Sequence, residues 1–253
     1  MDEYLISHLF DLKKESQEKD YCIYSPFLGL SEQAKISKTA PSLLKDESSF
    51  YFSQENGERV ILMFLPSYWT KEEAISFTKP ITLLRIFPRS EKFASSITHR
   101  DVLGAILSLG IERDTIGDII IHEKEAYVYL LSSIVQELKS NLSSIKNNPI
   151  HCEELPSLEC PYSPQYLEKT FSVPSNRLDA ILSEVYPSLS REDAKKHIEA
   201  GNAYSSFREI LKNDTRLENG EAISLRGFGK FYYLGEDGFS KKGKLRIIIK
   251  KPK

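Results

Sequence analysis

The sequence predicts an α+β fold, because its hydrophobic period switches repeatedly between that of strands and that of helices, and because a proline-rich segment separates this part from a basic α+β segment. We expect an N-terminal α/β region at 1–78, a ferredoxin-like middle domain at 79–155, a proline-rich linker at 156–173 and a small α+β domain at 174–253. With 253 residues, of which 40% are hydrophobic and 28% charged, the chain is long enough for two or three folded units.

The N-terminal residues contain no basic segment followed by an apolar stretch, and no run of 18 apolar residues occurs in the chain. We therefore expect a cytoplasmic protein with no membrane partner. Three cysteines, Cys22, Cys152 and Cys160, form no CxxC pair, so neither a disulfide framework nor a regular zinc site is indicated. Residues 1–75 contain amphipathic helical pieces and an apolar strand at Arg59–Leu65, and could form a small cap on the middle domain.

The middle domain is predicted from a succession of six segments with alternating periods. In order, strand, helix, strand, strand, helix and strand are predicted at Ile81–Phe87, Arg100–Leu109, Asp118–His122, Ala126–Leu131, Ser132–Ile145 and Ile150–Glu154. This βαββαβ order is that of a ferredoxin-like split unit, which RNA-recognition (RRM) modules also use. Tyr127 and Tyr129 share one strand face and could stack on bases, although core packing is the default interpretation.

The small C-terminal domain is predicted to begin with two helices. In the first, Leu178, Ile181, Leu182 and Val185 recur at helical spacing, and the helix stops at Pro187. For the second, Ser190 is the expected N-cap with Asp193 as its partner, and Gly201 the expected end.

The C-terminal domain carries an excess of positive charge that the net charge of −2 conceals. Residues 172–253 hold 16 Lys and Arg against 11 Asp and Glu, whereas the rest of the chain holds 18 against 25. Arg191, Lys195 and Lys196 lie in the first two turns of the second helix, where cations oppose the helix dipole and an external polyanion would compensate. The alternative is pairing with Glu192, Asp193 and Glu199 on a solvated face.

Strands are expected to follow near Ala203–Phe207, at Glu221–Arg226, Lys230–Leu234 and Leu245–Ile249. Between two of them lies RGFGKF, in which Arg226 and Lys230 supply charge and Phe228 a stacking face. A bulged turn without a ligand is the alternative. The loop at 238–244 adds three cations suited to phosphates, Lys241, Lys242 and Lys244.

Four short segments together resemble the small RNA-binding domain of small-subunit ribosomal protein four, here called the S-four domain. They are Arg177–Asp179, Leu189–Arg191, Ile198–Gly201 and Gly220–Ile223. The resemblance implies two helices packed on a small bent sheet. It also implies that Arg177, Ser190, Arg191 and Lys195 contact structured RNA.

A longer resemblance, to the bacterial and plastid YlmH family, spans nearly the whole chain. It is carried by RGFGKF at 226–231, LGAILSLGIERDTIGDI at Leu103–Ile119 and FLGLSEQ at Phe27–Gln33. It implies an RRM-like middle domain and work on the large ribosomal subunit, with rRNA, peptidyl-tRNA and ribosomal proteins as partners, in quality control of stalled nascent chains. Ser206 and Lys230 stand where family members usually have Asn and Arg, which puts the bidentate contacts in doubt.

Two rival classes are an RNA-modifying enzyme, of pseudouridine synthase or rRNA methyltransferase type, and a pure protein adaptor. No GxGxxG loop occurs, and His99-Arg100-Asp101 lacks the rest of a kinase catalytic loop, so Asp101 is assigned to the start of a helix. We expect no enzyme activity, no metal and no cofactor. We also expect that alanine at Arg191 and Lys195 weakens RNA association while thermal stability stays nearly unchanged.

Overall fold

The computed structural model describes residues 2–45, 47–54, 57–162, 166–205 and 208–252. The chain divides into two compact units, Met1–Ser163 and Pro164–Lys253. The first therefore contains both the N-terminal region and the middle domain of the sequence prediction. No helix of the described residues is both long enough and apolar enough to cross a membrane.

The N-terminal part of the first unit contains three helices and a small antiparallel sheet. Its elements are α1 (Asp2–Lys19), β1 (Ile23–Tyr24), α2 (Leu30–Thr39), β2 (Ser49–Phe52), β3 (Ile61–Phe64) and α3 (Lys71–Thr78). The sheet has the order β1-β3-β2, and its central strand β3 is completely buried. A buried strand lies where the sequence predicted one, within Arg59–Leu65.

The second part of this unit has the predicted succession of strands and helices. Its elements are β4 (Ile81–Pro88), α4 (His99–Leu107), β5 (Ile116–His122), β6 (Glu125–Leu131), α5 (Val135–Asn141), β7 (Ser144–Ile145) and β8 (Asn148–Glu154). The five strands form one antiparallel sheet in the order β5-β6-β4-β8-β7. The helix predicted at Ser132–Ile145 is too long, because the chain leaves the helix at Leu142 and turns into the short β7–β8 hairpin.

The sheet of the middle part is buried on both faces. On one face, Leu84, Ile86 and Val128 pack with Val102 of α4 and Leu138 of α5. On the other face, the side chains belong to a cluster with the N-terminal part, which includes Phe27, Ile61, Met63, Leu83, Tyr127 and Tyr129. The N-terminal part thus shares a hydrophobic core with the sheet, as the predicted cap would.

The segments Phe27–Gln33 and Leu103–Ile119, which carry the longer resemblance, meet inside this unit. The backbone N–H of Phe27 donates to the carbonyl of Asp114 at 2.6 Å. The Arg59 guanidinium donates to the carbonyls of Phe27 and Ile116, both at 2.9 Å. A Cβ on Gly117 would lie 2.8 Å from the Phe27 ring, so the close approach requires glycine there. These contacts indicate a structural role for both segments.

The C-terminal unit consists of two helices and one six-stranded antiparallel sheet. Its elements are β9 (Tyr166–Val173), α6 (Leu178–Val185), α7 (Arg191–Glu199), β10 (Ala203–Ser205), β11 (Arg208–Ile210), β12 (Glu221–Leu225), β13 (Gly229–Phe239) and β14 (Leu245–Pro252). The strand order is β11-β10-β12-β13-β14-β9. Leu178, Ile181 and Leu182 of α6 and Ala194 and Ile198 of α7 are buried in one core with the sheet.

The predicted linker at 156–173 is wrong over its second half. Residues Tyr166–Val173 form β9, which pairs with β14 along its whole length. In the first half, Leu158 and Cys160 pack against the core of the first unit. The prediction relied on the prolines of this segment. It did not detect β9, because β9 is an edge strand in which only Val173 is buried, so its hydrophobic alternation is weak. Pro164 lies outside the described residues.

Candidate nucleic-acid interface

The start of helix α7 has the predicted N-cap residue but not the complete capping box, because the Asp193 carboxylate accepts from the Ser190 hydroxyl and not from the Ser190 backbone N–H. The Asp193 backbone N–H donates to Ser190 Oγ at 3.1 Å, and the Ser190 hydroxyl donates to Asp193 Oδ2 at 2.6 Å. The hydrogen bond from Ser190 lowers the pKa of Asp193. Ser190 is therefore the N-cap of the helix, and its hydroxyl is already engaged within the protein.

Arg177 and Arg191 are both bound to one buried carboxylate, Asp179. Arg177 Nε lies 3.1 Å from Asp179 Oδ1, and Arg191 Nε lies 3.1 Å from Asp179 Oδ2. The Asp179 side chain is 0% exposed, whereas 39% of Arg177 and 47% of Arg191 is exposed. Burial alone would raise the pKa of Asp179, but hydrogen bonds from the two arginines outweigh it and the pKa is lowered.

This arrangement corrects two expectations. Arg191 is paired, but with Asp179 and not with Glu192, Asp193 or Glu199. Its replacement by alanine would remove one of the two arginine partners of a buried carboxylate, so we expect a loss of stability in place of the nearly unchanged stability that the sequence led us to expect. The sequence signal was available, since Asp179 lies in the first turn of α6 two residues after Arg177, but the pattern does not show that Arg191 reaches it.

The two lysines of α7 differ in their surroundings. Lys196 Nζ lies 3.3 Å from Glu192 Oε1 and 3.6 Å from Asp193 Oδ1, in exposed pairs that solvent screens and that add little stability. Lys195 is exposed and has no ion pair with any residue that the structure describes. Lys195 is therefore the α7 cation whose charge is most available to an external anion.

The RGFGKF segment is a tight turn that contacts helix α7. Gly227 and Gly229 have φ values of 86° and 101°, which favour glycine, and Leu225 pairs with Gly229 across the turn. The Phe228 ring is half-buried against Tyr186 and His197, at centroid distances of 5.4 and 5.3 Å. The predicted stacking face of Phe228 is thus largely used in packing this turn onto α7.

The two cations of this turn remain partly or fully exposed. The Arg226 backbone N–H donates to the Asn202 carbonyl at 2.9 Å, while its side chain is exposed without an ion pair among the described residues. Lys230 Nζ lies 5.1 Å from the centroid of the Tyr232 ring. Arg226 and Lys195 thus present free charge from the turn and from the helix that it contacts.

Lys241, Lys242 and Lys244 lie in a different place, in the turn between β13 and β14. All three are exposed, and in the described part of the chain none forms an ion pair. This turn and the RGFGKF turn are at opposite ends of β13, separated by eleven residues or roughly 30 Å of extended strand. The predicted RNA-binding residues therefore form two groups rather than one.

Tyr127 and Tyr129 cannot stack on bases, because each is only 1% exposed. The Tyr127 hydroxyl donates to Glu125 Oε2 and the Tyr129 hydroxyl to the Leu158 carbonyl, both at 2.9 Å. Burial raises the pKa of both side chains. The packing alternative is correct, because the N-terminal part covers the strand face that the two tyrosines share. Ser206 lies outside the described residues, as does Phe207.

Asp101 and the group of His151, Cys152 and Cys160 are the remaining residues that the sequence raised as candidates for catalysis or metal binding. Asp101 lies at the start of α4, as predicted, where it forms a capping box with Thr98, and hydrogen bonds from Lys146 and Thr98 lower its pKa to about 2. Burial raises the pKa of the Cys152 thiol to about 11, which disfavours a reactive thiolate. Within the described ranges, no three His, Cys, Asp or Glu side chains are grouped to hold a metal ion, and His151, Cys152 and Cys160 are no exception.

Comparison with known proteins gives three similarities. Residues 80–159 match the family described as "Putative RNA-binding domain in YlmH". Over 250 residues, 98% of this chain and 94% of the relative, the sequence is 24% identical to the ribosome-associated protein quality control protein P2 of Bacillus subtilis (strain 168). The structure resembles the cell division protein ylmH from Streptococcus pneumoniae, with a TM-score of 0.49 and 21% identity, covering 61% of this chain and 91% of that one.

Proposed function

We propose that this chain is a member of the YlmH family and a non-catalytic RNA-binding factor that associates with the large ribosomal subunit in quality control of stalled nascent chains. The relative from Bacillus subtilis, aligned along almost the whole chain, supports the ribosomal association and the process. The match at 80–159 supports RNA binding.

The observation that carries the proposal is the set of exposed cations in the C-terminal unit that no acidic residue neutralises. Of the exposed cations in this unit that have no ion pair among the described residues, five lie where the sequence predicted RNA contacts: Lys195, Arg226, Lys241, Lys242 and Lys244. Lysines without an internal partner add little to folding stability, but each can replace condensed counterions on an RNA backbone. We assign these five residues to phosphate contacts, and we assign Arg177 and Arg191 to a mixed role in which their free N–H groups also face RNA.

The architecture of the C-terminal unit fits an S-four domain, in which two helices pack on a bent sheet. Here α6 and α7 share one core with β12, β13 and β14. In this proposal the unit grips rRNA and, where one is present, peptidyl-tRNA, through shape and phosphate contacts. The first unit, whose middle part matches a putative RNA-binding domain, contacts a ribosomal protein or tRNA with surfaces other than the sheet face covered by the N-terminal part. The proposed location is the bacterial cytoplasm.

The proposal is tested by sedimentation with purified Bacillus subtilis ribosomes at several salt concentrations. Comigration with large subunits at low salt, lost at high salt, is the expected result. Lys241→Ala/Lys242→Ala should weaken binding and lower the magnitude of the salt slope by about 2, one for each phosphate contact. The matched control, Lys38→Ala/Lys45→Ala, removes two exposed lysines of the first unit and should bind like the wild type.

Protein that stays at the top of the gradient at every salt concentration contradicts the proposal. Binding that is weakened equally by both double variants contradicts the assigned surface. In the first case, assays of RNA modification decide whether an enzyme is the better description.

A further inference from the structure

We propose that Phe239, at the end of the β13–β14 hairpin, stacks on an unpaired base of the bound RNA while the three lysines of the adjacent turn hold its phosphates. The inference rests on the proposed RNA-binding function and adds a residue that the motifs of the sequence do not mark. It gives the turn with Lys241, Lys242 and Lys244 a role in recognising unpaired RNA, separate from the role of the cations near α7.

Phe239 is unusually exposed for an aromatic residue. Its relative exposure is 73%, and of the large exposed hydrophobic residues described in the C-terminal unit it is the only aromatic one. No ring or cation contact involves it in the described structure. A single exposed apolar side chain is ordinary on a protein surface, so exposure alone does not indicate a ligand.

The second observation is the position of the turn at 240–244, which lies beyond the last paired residues of the neighbouring strands. Strand β12 pairs with β13 only as far as Tyr233, and β9 pairs with β14 only as far as Leu245. The turn of residues 240–244 therefore has no neighbouring strand on either side. A side chain at this end can enter an RNA loop or groove without a clash from the rest of the sheet.

The third observation is that the turn is held in one geometry. The Ser240 N–H donates to the Lys244 carbonyl at 2.7 Å, the Gly243 N–H donates to the Ser240 carbonyl at 2.9 Å, and the Lys244 N–H donates to Ser240 Oγ at 3.0 Å. Just behind the turn, Arg246 pairs with Asp237 at 2.8 Å. This local pair neutralises the nearest acidic side chain. The three lysines and the aromatic ring are thus presented together at small entropic cost.

The combination of a positive turn and an adjacent aromatic face matches the chemistry of unpaired RNA. Stacking on an aromatic side chain stabilises any base, because every base has a π face, while lysines neutralise the backbone without reading sequence. A fully paired helix offers no free base face, and an acidic peptide offers no planar base for the ring. Unpaired nucleotides are therefore the ligand that uses both features.

The test compares two labelled RNAs by fluorescence anisotropy, a stem–loop with an unpaired loop and the blunt duplex of the same stem. Phe239→Leu, which keeps apolar bulk but removes the π face, should weaken stem–loop binding about tenfold and leave the salt slope and duplex binding unchanged. Phe239→Trp should bind the stem–loop like the wild type. The matched control is Phe77→Leu, at a 75% exposed phenylalanine of the first unit that lies outside the matched residues 80–159, and it should have no effect.

Wild-type affinity of Phe239→Leu for the stem–loop overturns the stacking role while leaving the proposed RNA-binding function intact. Equal weakening on stem–loop and duplex also overturns it, since an unpaired base would then not be required. Wild-type protein that binds neither RNA overturns both proposals. Since Phe239 is exposed and outside the core, the variants should fold, which circular dichroism checks.

Discussion

At the scale of single residues, Asp179 holds together the first turns of two helices. It lies at the start of α6, and its carboxylate receives Nε–H groups from Arg177, at the end of the preceding loop, and from Arg191, the first residue of α7. A carboxylate that exposes none of its surface requires such partners. The Nε–H groups of both arginines thus support the fold by binding Asp179. Only the exposed parts of the two guanidinium groups are available to RNA.

We predict that Arg191→Ala lowers the free energy of unfolding by about 1 to 2 kcal/mol, because it leaves a buried acceptor partly unsatisfied. The loss should be smaller than for a fully buried pair, since nearly half of the Arg191 side chain is exposed and Arg177 remains. Lys195→Ala, one turn further along the same helix, is the control and should change stability little. Urea denaturation of the two variants measures the difference, and equal stabilities would argue against the Asp179 pairing.

The lowered pKa of Asp179 predicts how its contribution depends on pH. Because the folded-state pKa lies below the unfolded value of about 3.9, the stabilisation is fully present above that value and is lost as the pH falls through the folded-state pKa. Asp179→Asn should therefore have a lower free energy of unfolding than the wild type, by a constant amount around neutral pH. This difference in the free energy of unfolding should become smaller below about pH 4. A gap that is independent of pH down to acid unfolding would show that the charge of Asp179 is not what matters.

At the scale of elements, local patterns predicted what local interactions determine. Helices α6 and α7 and the strand–helix succession from β4 to β8 follow from the spacing of apolar residues, and the start of α7 follows from its Ser190 cap. Strand β9 could not be found in this way, because its regular structure depends on pairing with β14, some 70 residues further along the chain. The candidate site was also predicted only in part. The sequence indicates which residues are cations, but it does not show that the Asp179 carboxylate binds Arg191, which lies twelve residues away.

Two glycines of the α4 region should respond to alanine in opposite directions. Gly104 is exposed within α4, and Gly110 follows the helix with a φ of 83°; a Cβ would meet no atom within 4 Å at either position. Gly104→Ala should therefore stabilise the protein by about 0.5 to 1 kcal/mol through helix propensity. Gly110→Ala should destabilise it by about 1 to 2 kcal/mol, because alanine resists the left-handed conformation. Thermal unfolding of both variants is the measurement, and shifts of the same sign would contradict the backbone argument.

At the scale of the whole molecule, the N-terminal region covers the middle part as the predicted cap would, but the two share one core across the boundary that the sequence placed at residue 78. A period of two shows that Leu83, Tyr127 and Tyr129 can lie on one sheet face, but it does not show what covers that face. The residues that cover this face come from two segments of the chain. Phe27, Ile61 and Met63 precede the middle part in sequence, and residues 155–160 follow it. A boundary drawn at residue 78 or 155 therefore cuts through a core.

We predict that the fragment 79–155, the middle domain as the sequence delimits it, does not fold to a stable native state by itself. Burial of a large apolar side chain contributes about 1.5 to 3 kcal/mol, so uncovering Leu83, Tyr127, Tyr129 and their neighbours removes an amount comparable with the whole stability of a domain of this size. The fragment 1–163 keeps the cover and should unfold cooperatively. Near-ultraviolet circular dichroism and urea titration of both fragments measure this, and a cooperative transition of 79–155 at the same midpoint as 1–163 would mean that the N-terminal part is dispensable for the sheet.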